Sequence, residues 1–259
     1  MFVSGAEITA FVGAWLWPLF RIGGMVMTAP VFGTRSVPPR IRLILALAIT
    51  LVVAPLLPPV PVLELIHPLT LLIAAQQVLI GVVMGFAVQL VFSAVITGGQ
   101  TIAMQMGLGF SLMVDPQNGQ QAPVLSQFYV LMIILVYLAL DGHLLLIEAL
   151  VSSFHTLPIG ATGLAPDSFQ QVVTWGSHIF AGGLLMALPA VASLLLVNLA
   201  FGIMTRAAPQ LNLFAIGFPV TMMIGFAVVL ITLPGVIPQA SDLFADVFRL
   251  LNGMLAGGE

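Results

Sequence analysis

Six apolar runs, at about 8–32, 41–60, 69–97, 123–150, 171–203 and 211–237, take up most of this 259-residue chain. Each is near or beyond the roughly 20 residues that an α-helix needs to cross the hydrocarbon core of a bilayer. Only 6% of the residues are charged, against about 25% in soluble domains. The reading is therefore an all-α chain of membrane-associated helical hairpins, or one buried in an apolar assembly. The third and fifth runs exceed one straight span, which predicts tilt, kinks or extension beyond the membrane. Pro18, Pro55, Pro189 and Pro219 are the candidate kinks or helix ends. No tandem repeat or charged linker marks a second domain, and the tail after Pro238 reads as a short amphipathic helix with a frayed end.

One stretch does not fit this pattern. Residues 98–123 hold Gly98, Gly99, Gly107, Gly109 and Gly119, the methionines Met104, Met106 and Met113, and Asp115-Pro116. Glycine makes positive φ accessible and proline ends regular structure, so the segment is expected to be a long, partly irregular loop. Irregular backbone survives at membrane depth only where protein buries it or where it lines a water-filled cavity. The loop is therefore expected to close or line a passage. The methionines suit deformable packing better than a copper site, because no cysteine or histidine stands near them to complete one.

Charge sets the topology and excludes several functions. All six basic residues are arginines (21, 35, 40, 42, 206 and 249), and they form no basic surface for nucleic acid. The absence of cysteine excludes disulfides and thiol chemistry. The first charge is Glu7 and no basic n-region precedes the first run, which is expected to be retained as a helix. With six spans, Arg35, Arg40, Arg42 and Arg206 fall on one side. The positive-inside tendency makes that side cytoplasmic and puts both termini outside. Arg21 lies within the first run, where it is expected to snorkel or to pair with a carboxylate of a partner.

Two further groups stand out. Gly81, Gly85, Gln89, Ser93, Thr97 and Gln100 recur at helical spacing and share one face. Gly81-x-x-x-Gly85 suits a close-packing seam, and the polar half suits either that seam or an aqueous lumen. Asp141, His143 and Glu148 are the one dense titratable group. They admit a proton relay, a zinc site completed by His155 or His178, or an interfacial break in the helix. No G-x-S-x-G elbow, P-loop or H-E-x-x-H is present, so no enzyme activity, metal or other cofactor is expected. A small-molecule or ion transporter is the alternative class. It would carry matched discontinuous helices and paired intramembrane charges.

Residues 198–219 carry the strongest local pattern. Arg206 precedes Pro209, Gln210 and Asn212, and the chain then turns apolar up to Gly217-Phe218-Pro219. Proline forces a helix to end at or before Ala208, which gives a hairpin tip whose last carbonyls Arg206 can cap. The run from Arg206 to Pro219, RAAPQLNLFAIGFP, resembles the signature of the FliR family of flagellar type III export-gate proteins. Arg21-Ile22-Gly23, Ala29 to Gly33, Pro38 to Arg42, Gly107 to Phe110, Asp115-Pro116, Pro123 to Leu125, Leu140 to His143 and Ala187 to Pro189 resemble other parts of the same family.

The resemblance implies an all-helical subunit, FliP-like over about 1–190 and followed by a FliQ-like hairpin over 191–259. Such a subunit joins FliP and FliQ, with FlhB docked on their core, at the flagellar basal body in the bacterial inner membrane. Unfolded flagellar proteins pass through that core. The matching plug loop here is Gly107, Leu108, Gly109, Phe110, Ser111, Leu112, Met113, Val114, Asp115, Pro116, Gln117, Asn118, Gly119, Gln120 and Gln121. Arg206, Pro209, Gln210, Asn212, Gly217, Phe218 and Pro219 form the assembly hairpin tip. The resemblance further implies that the apolar segments bury against neighbouring subunits above the membrane plane, in conflict with a six-span topology.

Overall fold

The computed structural model describes residues 5–34, 36–59, 67–108, 124–160, 163–207 and 213–256, and every regular element among them is helical. Helix α1 (Gly5–Thr28) leads through a turn into α2 (Pro39–Val53), which ends on a 3₁₀ turn (Ala54–Leu56). Then come α3 (Pro68–Gln105), α4 (Val124–Ala139), α5 (Gly142–Thr156), α6 (Pro166–Trp175), α7 (His178–Ala207) and α8 (Leu213–Ala256). Pro39 opens α2, where a missing N–H breaks no helical bond, and Pro55 lies in the turn that closes it. Among the described residues five helical stretches are long and apolar enough to cross a membrane, and the bent α4–α5 pair makes a sixth.

Three boundaries differ from those expected. First, α3 continues through Gly98 and Gly99 as far as Gln105, so the irregular stretch does not begin at 98. These two glycines serve packing: a Cβ on Gly98 would lie 2.9 Å from the Gly183 carbonyl oxygen, and one on Gly99 would lie 3.1 Å from the Tyr129 ring. Second, the run 123–150 is not one helix. The helix breaks between Ala139 and Gly142, and Asp141 holds φ 53° at the break, a left-handed conformation that Asp tolerates better than most residues. Third, α8 runs through Pro219, Pro234 and Pro238, so neither the Gly217–Pro219 motif nor the tail after Pro238 is a separate element. Each proline removes one backbone bond, whereas ending the helix would orphan several groups. In apolar surroundings the smaller loss wins.

The chain forms two compact units. The first comprises Met1–Leu90, Asp141–Trp175 and Phe244–Glu259, and the second Val91–Leu140 and Gly176–Leu243. In the first, α1 lies backbone to backbone on α3. A Cβ on Gly81 would stand 1.9 Å from the Arg21 carbonyl oxygen, and one on Gly85 would stand 2.3 Å from Thr28 Oγ1. The Thr28 hydroxyl is 3.2 Å from the Val82 carbonyl, to which it can donate across the seam. In the second unit α3 and α7 meet through Gly98 and Gly183; a Cβ on Gly183 would lie 2.7 Å from the Ala94 carbonyl oxygen. Tyr137 of α4 sets its ring edge-on to Phe92, with centroids 5.6 Å apart.

Candidate functional site

The site begins where α3 stops. The Gly107 N–H donates to the Met104 carbonyl at 3.0 Å, and the Leu108 N–H reaches back to the Ala103 carbonyl at 3.0 Å. With Gly107 at φ 80°, this is a Schellman termination: a left-handed glycine just past the last turn, with two bonds that satisfy carbonyls the helix leaves unpaired. The chain therefore leaves α3 at a defined point. Gly107 and Leu108 of the expected plug loop are at that point, and 109–121 lie outside the described residues.

The second unit holds this foot in place. Met106 is fully buried, and its side chain fills the space left by Gly225 of α8, where a Cβ would come within 2.7 Å of its Cε. Phe218 sits over Gly107; a Cβ there would be 3.0 Å from the Phe218 ring. Two motifs that the sequence leaves more than a hundred residues apart, Gly107 and Gly217–Pro219, thus meet. Gly217 is buried, while Phe218 and Pro219 are exposed. Arg206 is exposed at the end of α7, and Pro209, Gln210 and Asn212 lie outside the described residues. Tyr129, which packs on Gly99 two turns earlier in α3, is buried to 1% exposure, and its hydroxyl has no hydrogen-bond partner among the described residues.

The polar stripe does not form one surface of uniform character. Gly81 and Gly85 are sealed against α1. Gln89, Ser93 and Thr97 are half-buried, and Gln100 is exposed. The Thr97 hydroxyl donates to the Ser93 carbonyl at 2.8 Å, which satisfies it within its own helix.

The first unit contains a polar centre that sequence reasoning missed. Arg21 neither snorkels nor meets a carboxylate among the described residues. It is wholly buried. Its Nε donates to Gln77 Oε1 of α3 at 2.8 Å, Nη1 donates to the Ser153 carbonyl at 2.8 Å and to Ser153 Oγ at 2.9 Å, and Nη2 donates to the Leu157 carbonyl at 2.8 Å. Those bonds use four of the guanidinium's five donors. The Phe154 ring covers it, with the centroid 4.1 Å from Cζ. A buried charge is costly unless it is compensated. Here the compensation comes from the negative end of the α5 dipole, from the Ser153 and Leu157 carbonyls at its C-terminal end, of which Ser153 also accepts the Leu157 N–H, and from the face of an aromatic ring. Arg21 thereby ties α1, α3 and α5 together. The legible signal was a single charge inside the first apolar run; its partners, neutral and distant in sequence, were not legible.

Asp141, His143 and Glu148 do not converge on a site. Asp141 and Glu148 are exposed and His143 is half-buried. Among the described residues no group of three His, Asp or Glu side chains is placed to hold a metal ion.

The profile of the bacterial export proteins, family 1, matches residues 12–247. The chain is 41% identical over 256 residues to the flagellar biosynthetic protein FliR of Escherichia coli (strain K12), covering 98% of this chain and 97% of that one. It is 40% identical to FliR of Pectobacterium carotovorum subsp. carotovorum, over 96% and 95% of the two chains. Against FliR of Buchnera aphidicola subsp. Baizongia pistaciae (strain Bp) the identity is 33%, over 96% and 95%. A match across nearly the whole length, in a chain of long apolar helices, places it in a family: this protein belongs to the bacterial export proteins, family 1, alongside the flagellar FliR proteins.

Proposed function

We propose that this protein is a non-enzymatic core subunit of the flagellar type III export gate in the bacterial inner membrane. In this reading it assembles with FliP and FliQ, receives FlhB, and closes the channel for unfolded flagellar proteins with residues 107–121. Its family membership supports the flagellar export role. The division into a FliP-like part over 1–190 and a FliQ-like hairpin over 191–259 belongs to the same proposal, as does an assembly role for Arg206, Pro209, Gln210, Asn212 and Gly217–Pro219.

The observation that carries the plug reading is the Schellman stop at Gly107 beneath Phe218. A segment meant to block a passage must leave its helix at a fixed place, yet keep neighbours that can yield. Met106, Phe218 and the start of the glycine-bearing segment meet that need, since methionine repacks at low cost. On the same reading Gln89, Ser93, Thr97 and Gln100 contribute to the wall of the passage. The test is deletion of 109–121 in the intact assembly. The subunits should still copurify while proteoliposomes become permeable to small ions. A deletion that assembles and remains sealed would remove the plug from the function.

A further inference from the structure

The two faces of α1 are built differently. One meets α3 through Gly24, Gly81 and Gly85 and a cross-helix bond from Thr28, the small-residue, hydrogen-bonded chemistry by which helices recognise each other in membranes. The other face opens onto a groove of about 640 Å³ between α1 and α2. Its walls are bulky and apolar, with Phe11, Trp15 and Leu19 on one side and Ile44, Leu47 and Leu51 on the other. Its polar lining residue, Thr50, turns its hydroxyl back to the Ala46 carbonyl at 2.7 Å. Among the lining residues Ala48 is the one small side chain and the Thr50 hydroxyl is already engaged within α2, so the groove differs from the small-residue seam on the other face.

The groove has a charged end. Arg40, Ile44, Leu47 and Leu51 share one stripe of α2, because they are spaced by one helical turn or two. Arg40 is exposed. Its neighbour Arg42 is committed to the turn, donating from Nε to the Val37 carbonyl at 3.0 Å and from Nη2 to the Thr34 carbonyl at 2.6 Å. Among the described residues no such bond engages Arg40. On α1 the groove stripe continues one turn past Leu19 to Gly23, where an added Cβ would meet nothing within 4 Å. The head of the groove is therefore open as well as cationic. From Arg40 to Leu51 the helix rises about 16 Å, close to the about 15 Å of one leaflet's hydrocarbon.

We propose that this groove is a binding site for one anionic phospholipid, with an acyl chain laid between α1 and α2 and its phosphate against Arg40. The ligand's charge complements the exposed guanidinium of Arg40, and its apolar length matches the walls. The site goes beyond the export role and does not depend on the plug assignment.

The test uses the full-length chain in the membrane assembly it copurifies with. After exchange into phosphatidylglycerol or phosphatidylcholine, native mass spectrometry counts the lipid retained. Wild type should hold phosphatidylglycerol about five-fold better, the preference one cation near an anionic headgroup supplies. Arg40→Gln, a surface change, should bring the ratio close to one. Ala48→Trp fills the groove and should remove the retained lipid, whereas Val52→Trp, at an exposed position outside the groove lining, should not. A photoreactive benzoylphenylalanine at position 48 provides a readout independent of folding losses in the tryptophan variant, and should add a lipid-sized mass on irradiation. Three results would each overturn the proposal: an unchanged ratio in Arg40→Gln, equal retention in the two tryptophan variants, or a polypeptide photoproduct at 48. The last would make the groove a subunit interface.

Discussion

Gly81 in the first unit and Gly225 in the second do the same thing against opposite neighbours. Each leaves a gap that another element fills. At Gly81 the filler is backbone, the Arg21 carbonyl, 1.9 Å from where a Cβ would be. At Gly225 it is the thioether of Met106, with Cε and Cγ 2.7 Å away. Backbone can move only if a helix moves with it, while a methionine tip moves by changing rotamer. The first unit also fixes its helices with Arg21, whose bonds need one arrangement of three helices. The second holds the foot of the central segment with a methionine and an aromatic ring. The second unit has a backbone seam of its own at Gly98 and Gly183, so the contrast is between the Gly81 seam, where only backbone gives way, and the foot at Gly107 and Gly225, where side chains do.

The contrast predicts its largest effect at Gly81. Gly81→Leu should cost more than about 4 kcal/mol, beyond ordinary overpacking, because the α1 and α3 backbones must separate. The variant should fail to accumulate in membranes. If it accumulates and its assembly melts like wild type, the backbone seam is not what holds the first unit.

Arg21 comes next. Arg21→Met keeps most of the volume but removes the guanidinium's bonds to Gln77 and to the Ser153 and Leu157 carbonyls, leaving Ser153 only the Leu157 N–H, at about 3 kcal/mol for buried groups of this kind. Arg21→Lys should recover only part of that, since an ammonium cannot reproduce a planar fork reaching both α3 and the end of α5. Thermal melting of the purified assembly should rank wild type, Lys and Met in that order. Equal melting of the lysine variant and wild type would mean that charge, rather than geometry, is what the centre requires.

Gly107 tests the yielding side. Its φ of 80° is left-handed, which costs a side chain about 1–2 kcal/mol, and Phe218 stands over the vacant Cβ position. Gly107→Ala should therefore raise ion leak through reconstituted assemblies without lowering their yield. Adding Phe218→Ala should restore part of the seal by removing the crowding, leaving only the backbone cost. Additive leak in the double variant would show that the two residues act separately.

These regions were unequally legible in the sequence. Helix content and approximate spans follow from apolar runs that leave the backbone no other way to satisfy itself, and Gly81-x-x-x-Gly85 announced a close approach. The foot was half legible: glycine after an apolar run signals a stop, but Gly98, Gly99 and Gly107 look alike in one dimension. Only the third has positive φ; the others face a carbonyl and a ring. The break at Asp141 was visible as Asp-Gly yet offset by apolar residues on both sides. The prolines of α8 misled, because their local preference to end a helix is outweighed when ending it would strand several backbone groups in apolar surroundings. The Arg21 centre stayed hidden, since its partners are two carbonyls, an amide and a hydroxyl contributed from more than fifty residues away.

The smallest effect should come from Gly225→Ala, and that makes it the sharpest test of the comparison. By distance alone the added methyl collides with Met106, yet the side chain it meets is unbranched and ends in a flexible thioether. The expected cost is below about 1 kcal/mol, with Met106 taking another rotamer. If yielding is what matters, the same substitution should become harmful once Met106 cannot yield. Met106→Ile alone nearly conserves volume and should be mild. Combined with Gly225→Ala it should lose at least about 1 kcal/mol beyond the sum, because a β-branched side chain has one strongly preferred rotamer in a helix-like backbone. Melting of the four purified assemblies measures that coupling. A cycle that closes to zero would mean that the second unit is as rigid at Gly225 as the first is at Gly81, and the contrast between seam and foot would have to be given up.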